Sequence, residues 1–249
     1  MYTTHMNPQI IHQEQDYIVI NKPAGISVHK SGQREEYTIS DWVIENFKQT
    51  KDVGEPLKIG TGEIISRHGI VHRLDKDTSG IMIIALTQKG YDFFKEQFKE
   101  RKINKIYHAF MYGNLKEDHL TIQEPIGKHI KDFRKRATGK NIRGEKKSAI
   151  TFLKIIKRCK SESEPVLFVE AQPKTGRTHQ IRVHAKHIQC PIVADSLYAH
   201  KKTKLLGFYR LALHAYKIKF TDTNGFLQEY TADYPEDFVR ALKFCTETD

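Results

Sequence analysis

Two apolar segments, residues 69–74 and 81–86, are separated only by Asp75-Lys76-Asp77-Thr78-Ser79-Gly80. So short and polar a connection predicts a tight turn between two extended segments, with carboxylates and hydroxyls at the strand ends. The strand pattern recurs at residues 17–21 (stopped by Pro23 and Gly25), 103–112, 149–156 and 166–171. Tyr216, Ile218 and Phe220 alternate with Lys217 and Lys219, and Asn224-Gly225 then offers a hairpin turn into residues 226–231. Helices are predicted where apolar residues share a face. Ser40 would cap one with Ile39, Trp42, Val43 and Phe47, and Tyr91, Phe94 and Phe98 mark a second. A third begins near Thr178 with Ile181, Ala185 and Ile188, and Pro235 opens a last one with Phe238 and Leu242. Residues 51–68 read as a loop. Strands outnumber helices without alternating regularly with them, which predicts an α+β fold.

The chain has 249 residues, 39% hydrophobic, enough for a sizeable core. We expect a short N-terminal extension over residues 1–14 and one domain over 15–245. No run of ~18 apolar residues exists, so no membrane span is predicted, and the polar first 15 residues do not read as a secretory signal. Cys159, Cys190 and Cys245 are odd in number, scattered and without C-x-x-C spacing. That pattern predicts no disulfide framework and a reducing cytoplasm. The net charge of +11 favours a polyanionic partner, usually nucleic acid. Residues 128–147 concentrate it: Lys128, Lys131, Arg134, Lys135, Arg136, Lys140, Arg143, Lys146 and Lys147 stand against Asp132 and Glu145. This window reads as a solvated mobile loop or as a clamp on a phosphate backbone.

Three segments carry candidate chemistry. His72-Arg73-Leu74-Asp75-Lys76-Asp77 joins an imidazole, a guanidinium and two carboxylates, and spacing alone does not separate Asp75 from Asp77. Lys174-Thr175-Gly176-Arg177-Thr178-His179 leads into a helix containing Arg182, where unpaired backbone N–H groups beside cations suit an anion. Its spacing is not that of a P-loop. Tyr107 lies in a strand, a position more often occupied by core residues. His184 and His187 could share a helix face, but no compact Cys/His/carboxylate set accompanies them, so neither metal nor cofactor is expected.

Read together, these segments resemble the RluA-type pseudouridine synthases. Gly69-Ile-Val-His-Arg-Leu-Asp-Lys-Asp-Thr-Ser-Gly-Ile-Met-Ile-Ile-Ala85 is similar to that family's signature. Asn21-Lys22-Pro23-Ala24-Gly25-Ile26-Ser27-Val28-His29, Lys105-x-Tyr107-x-Ala109 and Thr175-Gly-Arg-Thr-His-Gln-Ile-Arg-Val-His184 resemble its first, tyrosine and arginine motifs. Leu213-His214-Ala215 and residues 234–238 resemble its closing segments. The resemblance implies a mixed, mostly antiparallel β-sheet with flanking helices and an RNA cleft across the middle. It implies Asp75 as catalytic aspartate, Arg182 paired with it, Tyr107 against the target base and Arg73 filling the gap left by a flipped nucleotide. His72, Lys174, Arg177, His179 and the Arg134-Lys135-Arg136 run become candidate RNA contacts. The implied substrate is ribosomal large-subunit RNA or transfer RNA, and the default assembly is a monomer. Two positions depart from the family: Gln189-Cys190-Pro191 replaces its Gly-His-Pro, and Ala194-Asp195 its Gly-Asp. The extra N-terminal S4-type RNA-binding domain of many relatives is not expected here. The rival readings are a non-catalytic RNA-binding or ribosome-assembly factor on the same scaffold and, more distantly, a metal-dependent hydrolase.

Overall fold

The structure is a computed structural model that describes residues 7–30, 36–58, 62, 64–159, 161 and 163–245. In chain order its elements are β1 (Gln9–Gln13), β2 (Tyr17–Lys22), α1 (Ile39–Asn46), a 3-10 turn at Lys48–Asp52, β3 (Leu57–Lys58), β4 (Ile64–Ile65), β5 (Ser79–Ala85), α2 (Gln88–Lys99), β6 (Asn104–Tyr112), β7 (His119–Ile122), β8 (Ile126–His129), β9 (Arg136–Ala137), β10 (Ile142–Lys147), β11 (Thr151–Cys159), β12 (Val166–Pro173), α3 (Gln180–His187), β13 (Leu213–Thr221), β14 (Leu227–Thr231) and α4 (Glu236–Leu242). The strand-rich, mostly antiparallel arrangement is the α+β class expected. The chain forms two compact units, Met1–Asn104 with Ala215–Asp233, and Lys105–His214 with Tyr234–Asp249.

In the first unit the strand order is β1-β2-β5-β13, with β14 paired to β13. Every residue of β5 is buried, as expected of a central strand made of one apolar run. Tyr17, Phe94 and Phe220 meet edge to face, with ring centroids 5.2–5.6 Å apart, and anchor α2 on this sheet. In the second unit β6-β12-β11-β7 are antiparallel neighbours. Phe110, Phe208 and Phe238 form an aromatic core beneath α4. No helix among the described residues is long and apolar enough to cross a membrane.

Four expectations are corrected. Residues 69–74 do not form a strand. Gly69 (φ +76°) turns the chain, and the stretch pairs with β5 through an isolated bridge, Ile70↔Ile84, rather than a ladder. A Cβ at Gly69 would stand 1.9 Å from the Ala85 carbonyl, so the close approach requires glycine. The cap of α1 is Thr38 rather than Ser40, because Thr38 and Asp41 exchange both bonds of a capping box. The basic window is not a loop: β8, β9 and β10 make a three-stranded sheet from it. Finally, Cys159 and Cys245 form a disulfide, leaving only Cys190 free and buried. The partners are 86 positions apart, and α4 brings the second to the end of β11, so linear spacing carried no sign of the pairing. The argument for a reducing compartment from cysteine spacing falls with it. Gln9–Gln13, within the stretch read as an extension, pairs with β2 as β1.

Candidate active site

In the first unit, Asp75 lies half-buried on the irregular stretch entering β5. The Thr78 N–H donates to the Asp75 carbonyl at 3.1 Å and closes the turn. His72 holds the near side: its Nε2 accepts the Ile83 N–H at 2.9 Å, and its ring stacks on Phe98 at 4.5 Å. This imidazole therefore fastens the loop to β5. The far side rests on Lys22, which has no exposed surface. Its ammonium donates to the carbonyls of Pro23, Ile26 and Lys76 at 2.8, 2.9 and 3.1 Å. Gly25 N–H also reaches the Lys76 carbonyl, at 2.9 Å. Lys22, part of the motif over residues 21–29, is the tie between that motif and the Asp75 turn.

The same unit carries an electropositive flank. Burial, reinforced by the charges of Arg73, Arg67 and His68, pushes His29 down to about 4, so its ring is neutral at pH 7. Its Nδ1 and the Nε of Arg67 are buried without hydrogen-bond partners. Arg73 is exposed.

In the second unit, α3 carries Arg182. Its Nε and Nη2 donate to the two carboxylate oxygens of Asp195 at 2.8 and 2.9 Å, and both side chains are buried. The guanidinium also lies over Tyr198, 5.2 Å from the ring centroid. Asp195 accepts in addition from the Leu197 and Tyr198 N–H groups at 2.9 and 3.1 Å. The helix begins at Gln180, two residues beyond the start near Thr178 that its sequence implied. His179 is the residue before it, in a left-handed conformation (φ +56°), with Nδ1 3.0 Å from Tyr198 Oη. Gln180 fastens the approach to the helix, accepting from Thr175 Oγ1 and the Arg177 N–H at 2.6 and 3.0 Å. Arg177 Nε donates to the Ser148 carbonyl, and the exposed Lys174 lies 5.5 Å from the Phe152 ring centroid. Tyr107, half-buried in β6, pairs across the sheet with Ala171. Both nitrogens of His184 are engaged, by Thr151 Oγ1 and the Glu124 carbonyl, and burial lowers its proton affinity. It is a core residue.

Residues 16–187 match the family described as RNA pseudouridylate synthase. The chain belongs to that family. Among pseudouridylate synthases, the ribosomal large subunit pseudouridine synthase D of Borreliella burgdorferi is 34% identical over 92% of this chain and 66% of its own length. The enzyme of the same name from Yersinia pestis is 33% identical over 96% of this chain and 71% of its length. The chain thus spans about two thirds of these relatives. In fold it is similar to the solved human RNA Pseudouridylate Synthase Domain Containing 1, with TM-score 0.71 at 23% identity, covering 98% of this chain and 97% of that one.

Family membership gives meaning to the two departures. Gln189 and Ala194, standing where pseudouridylate synthases carry glycine in the motifs compared above, both have left-handed backbones (φ +60° and +55°). Both positions take a left-handed conformation without the glycine that would relax it. The aspartate following Ala194 is the buried partner of Arg182, a pairing made by packing between elements and not by spacing in the chain.

Proposed function

We propose that the protein is an RNA pseudouridine synthase that isomerises uridine in ribosomal large-subunit RNA or transfer RNA, in the cytoplasm and as a monomer. The residues over 15–245 serve as its catalytic domain. Family membership together with the fixed, half-buried Asp75 turn carries this reading. The reaction breaks the N1–C1′ bond, turns the uracil and joins C5 to C1′, and the C5 proton leaves last. It is redox-neutral, so these residues suffice without a cofactor.

Asp75 acts at the sugar as nucleophile at C1′, as base at C2′ or as stabiliser of an oxocarbenium-like centre; each role uses its ionised form. Arg182, oriented by Asp195, presents the guanidinium that pairs with this carboxylate. Tyr107 stacks on the freed uracil and assists loss of the C5 proton. Extracting a base from its stack costs roughly a few kcal/mol. Arg73 offsets part of this by stacking its planar guanidinium on the neighbouring bases. Lys174, Arg177 and His179 contact the phosphate backbone beside α3, with His72 supporting the loop from which Arg73 extends. Lys135 and Arg136 contact the backbone from the basic window, with Arg134 a lesser contributor because Asp132 already neutralises it.

The test incubates the protein with unmodified total RNA and maps pseudouridine by carbodiimide-stop primer extension. Modified sites absent from an Asp75→Asn control are expected. Binding with no product would leave the non-catalytic RNA-binding factor as the correct reading.

A further inference from the structure

The second unit contains a cavity of about 500 Å³ whose wall includes Lys135, Arg136, Lys140, Lys186, Lys201 and Lys202 and no carboxylate. Some of this charge is already answered. Lys202 pairs with Glu164 at 2.5 Å, and Lys135 lies 3.8 Å from Asp132. Among the described residues, Lys140, Lys186 and Lys201 have no ion-pair partner. Like charges gathered around one concavity repel one another, and an anion in the concavity relieves that repulsion.

Beside the cavity, the connection from β8 to β9 is an ordered tip. His129 Nδ1 accepts the Lys131 and Asp132 N–H groups at 3.0 and 3.1 Å, and Asp132 accepts the Arg134 N–H at 3.1 Å. The tip holds Phe133 in solvent, 84% exposed, between Asp132 and the Arg134 that pairs with it, with Lys131 one position further. An aromatic ring exposed at an ordered tip beside a cationic cavity is a combination that stacks nucleic-acid bases. Arg136 on β9 lines the cavity, and its backbone N–H donates to Tyr198 Oη at 2.8 Å. Tyr198 is also the ring beneath Arg182, so one side chain belongs to the cavity wall and to the arginine site.

We propose that this cavity and tip form a second RNA contact, in which Lys140, Lys186 and Lys201 hold backbone phosphates while Phe133 stacks on a base. It deepens the RNA-modifying reading above and rests on it for the identity of the polyanion. The contact reads charge and an exposed π-face rather than sequence, so its part is grip, and the choice of uridine lies elsewhere.

The test measures binding of a fluorescein-labelled, uridine-containing RNA stem–loop between about 50 and 200 mM salt. Each phosphate contact contributes roughly 0.7–0.9 to the logarithmic salt slope. The variant K140A/K186A/K201A, altered only at exposed positions, is expected to flatten the slope by about 2 and weaken binding at least tenfold at 100 mM. F133A is expected to weaken binding roughly tenfold with the slope unchanged, as for a stacking contact. Turnover at saturating RNA should be unaffected by either. An unchanged slope in the triple variant overturns the proposal. So does displacement of the RNA by micromolar uridine triphosphate or inorganic phosphate, which would mark a free-anion site. If the wild-type protein forms no pseudouridine yet the triple variant loses its slope, the catalytic reading fails while this contact stands.

Discussion

Asp75 and Arg182 are held in place by opposite means. The carboxylate sits on irregular chain whose shape is maintained by backbone carbonyls gathered on the Lys22 ammonium and by the His72 ring on β5. The guanidinium sits on a regular helix and is fixed through its own head group, by a two-bond clamp on Asp195 over the Tyr198 ring. In the first case the contacts of Lys22 and His72 act on the backbone around the turn; in the second the contact is a countercharge on the side chain itself. Asp75→Asn leaves the Lys22 and His72 contacts in place, whereas Arg182→Ala leaves a buried carboxylate without its cation.

The largest contrast is in activity. Asp75→Asn should lower pseudouridine formation by roughly 10³- to 10⁴-fold while leaving RNA affinity and the melting temperature near wild type. Appreciable turnover in this variant would remove Asp75 from its role. Arg182→Ala leaves Asp195 buried without its cation, at a cost of about 3–5 kcal/mol in urea unfolding. The double variant Arg182→Met/Asp195→Leu should regain much of that stability without regaining activity. If Arg182→Ala unfolds like wild type, the clamp is not what fixes the helix.

Smaller effects test the supports. Lys22→Met withdraws the donor from three carbonyls, and a loss of about 2–3 kcal/mol is expected together with reduced activity. A Lys22→Met protein of normal stability would mean that the Asp75 loop holds itself. His29 brings in pH. Its folded-state value of about 4 lies below the ordinary 6.5, so the unfolded chain binds the extra proton between these values. Stability is unaffected above pH 6.5 and falls on acidification toward 4, by at most about 1.4 kcal/mol per pH unit. Denaturation midpoints for His29→Gln should be flatter across that window, and an equal slope would place the ring in solvent. The smallest effect is favourable: Ala194→Gly relieves a left-handed alanine beside Asp195 and should stabilise by roughly 0.5–1 kcal/mol. A loss of stability there would mean that the turn is not strained.

What could be read in advance follows the range of the interactions. The Asp75 turn and β5 were legible because an apolar run and its polar interruption are adjacent in the chain. So were β2, β11, β12 and the hairpin at Gly225, whose patterns are local. The sheet built from the basic window was not, since β10 buries almost nothing and shows no apolar alternation. Nor was Asp195, 13 positions beyond Arg182, or the cysteine bridge, because packing between elements makes both contacts. The left-handed turns at Gln189 and Ala194 were legible only as a departure from glycine, not as a conserved shape.

The Lys76 carbonyl serves two donors from a motif 54 positions upstream, so one oxygen's lone pairs join two distant stretches of chain. A selection scored only on modified RNA would group residue 22 with residue 75 and tempt the reader to enlarge the catalytic list. Calorimetry would separate scaffold from reagent, because the lysine variant would melt early and the aspartate variant would not.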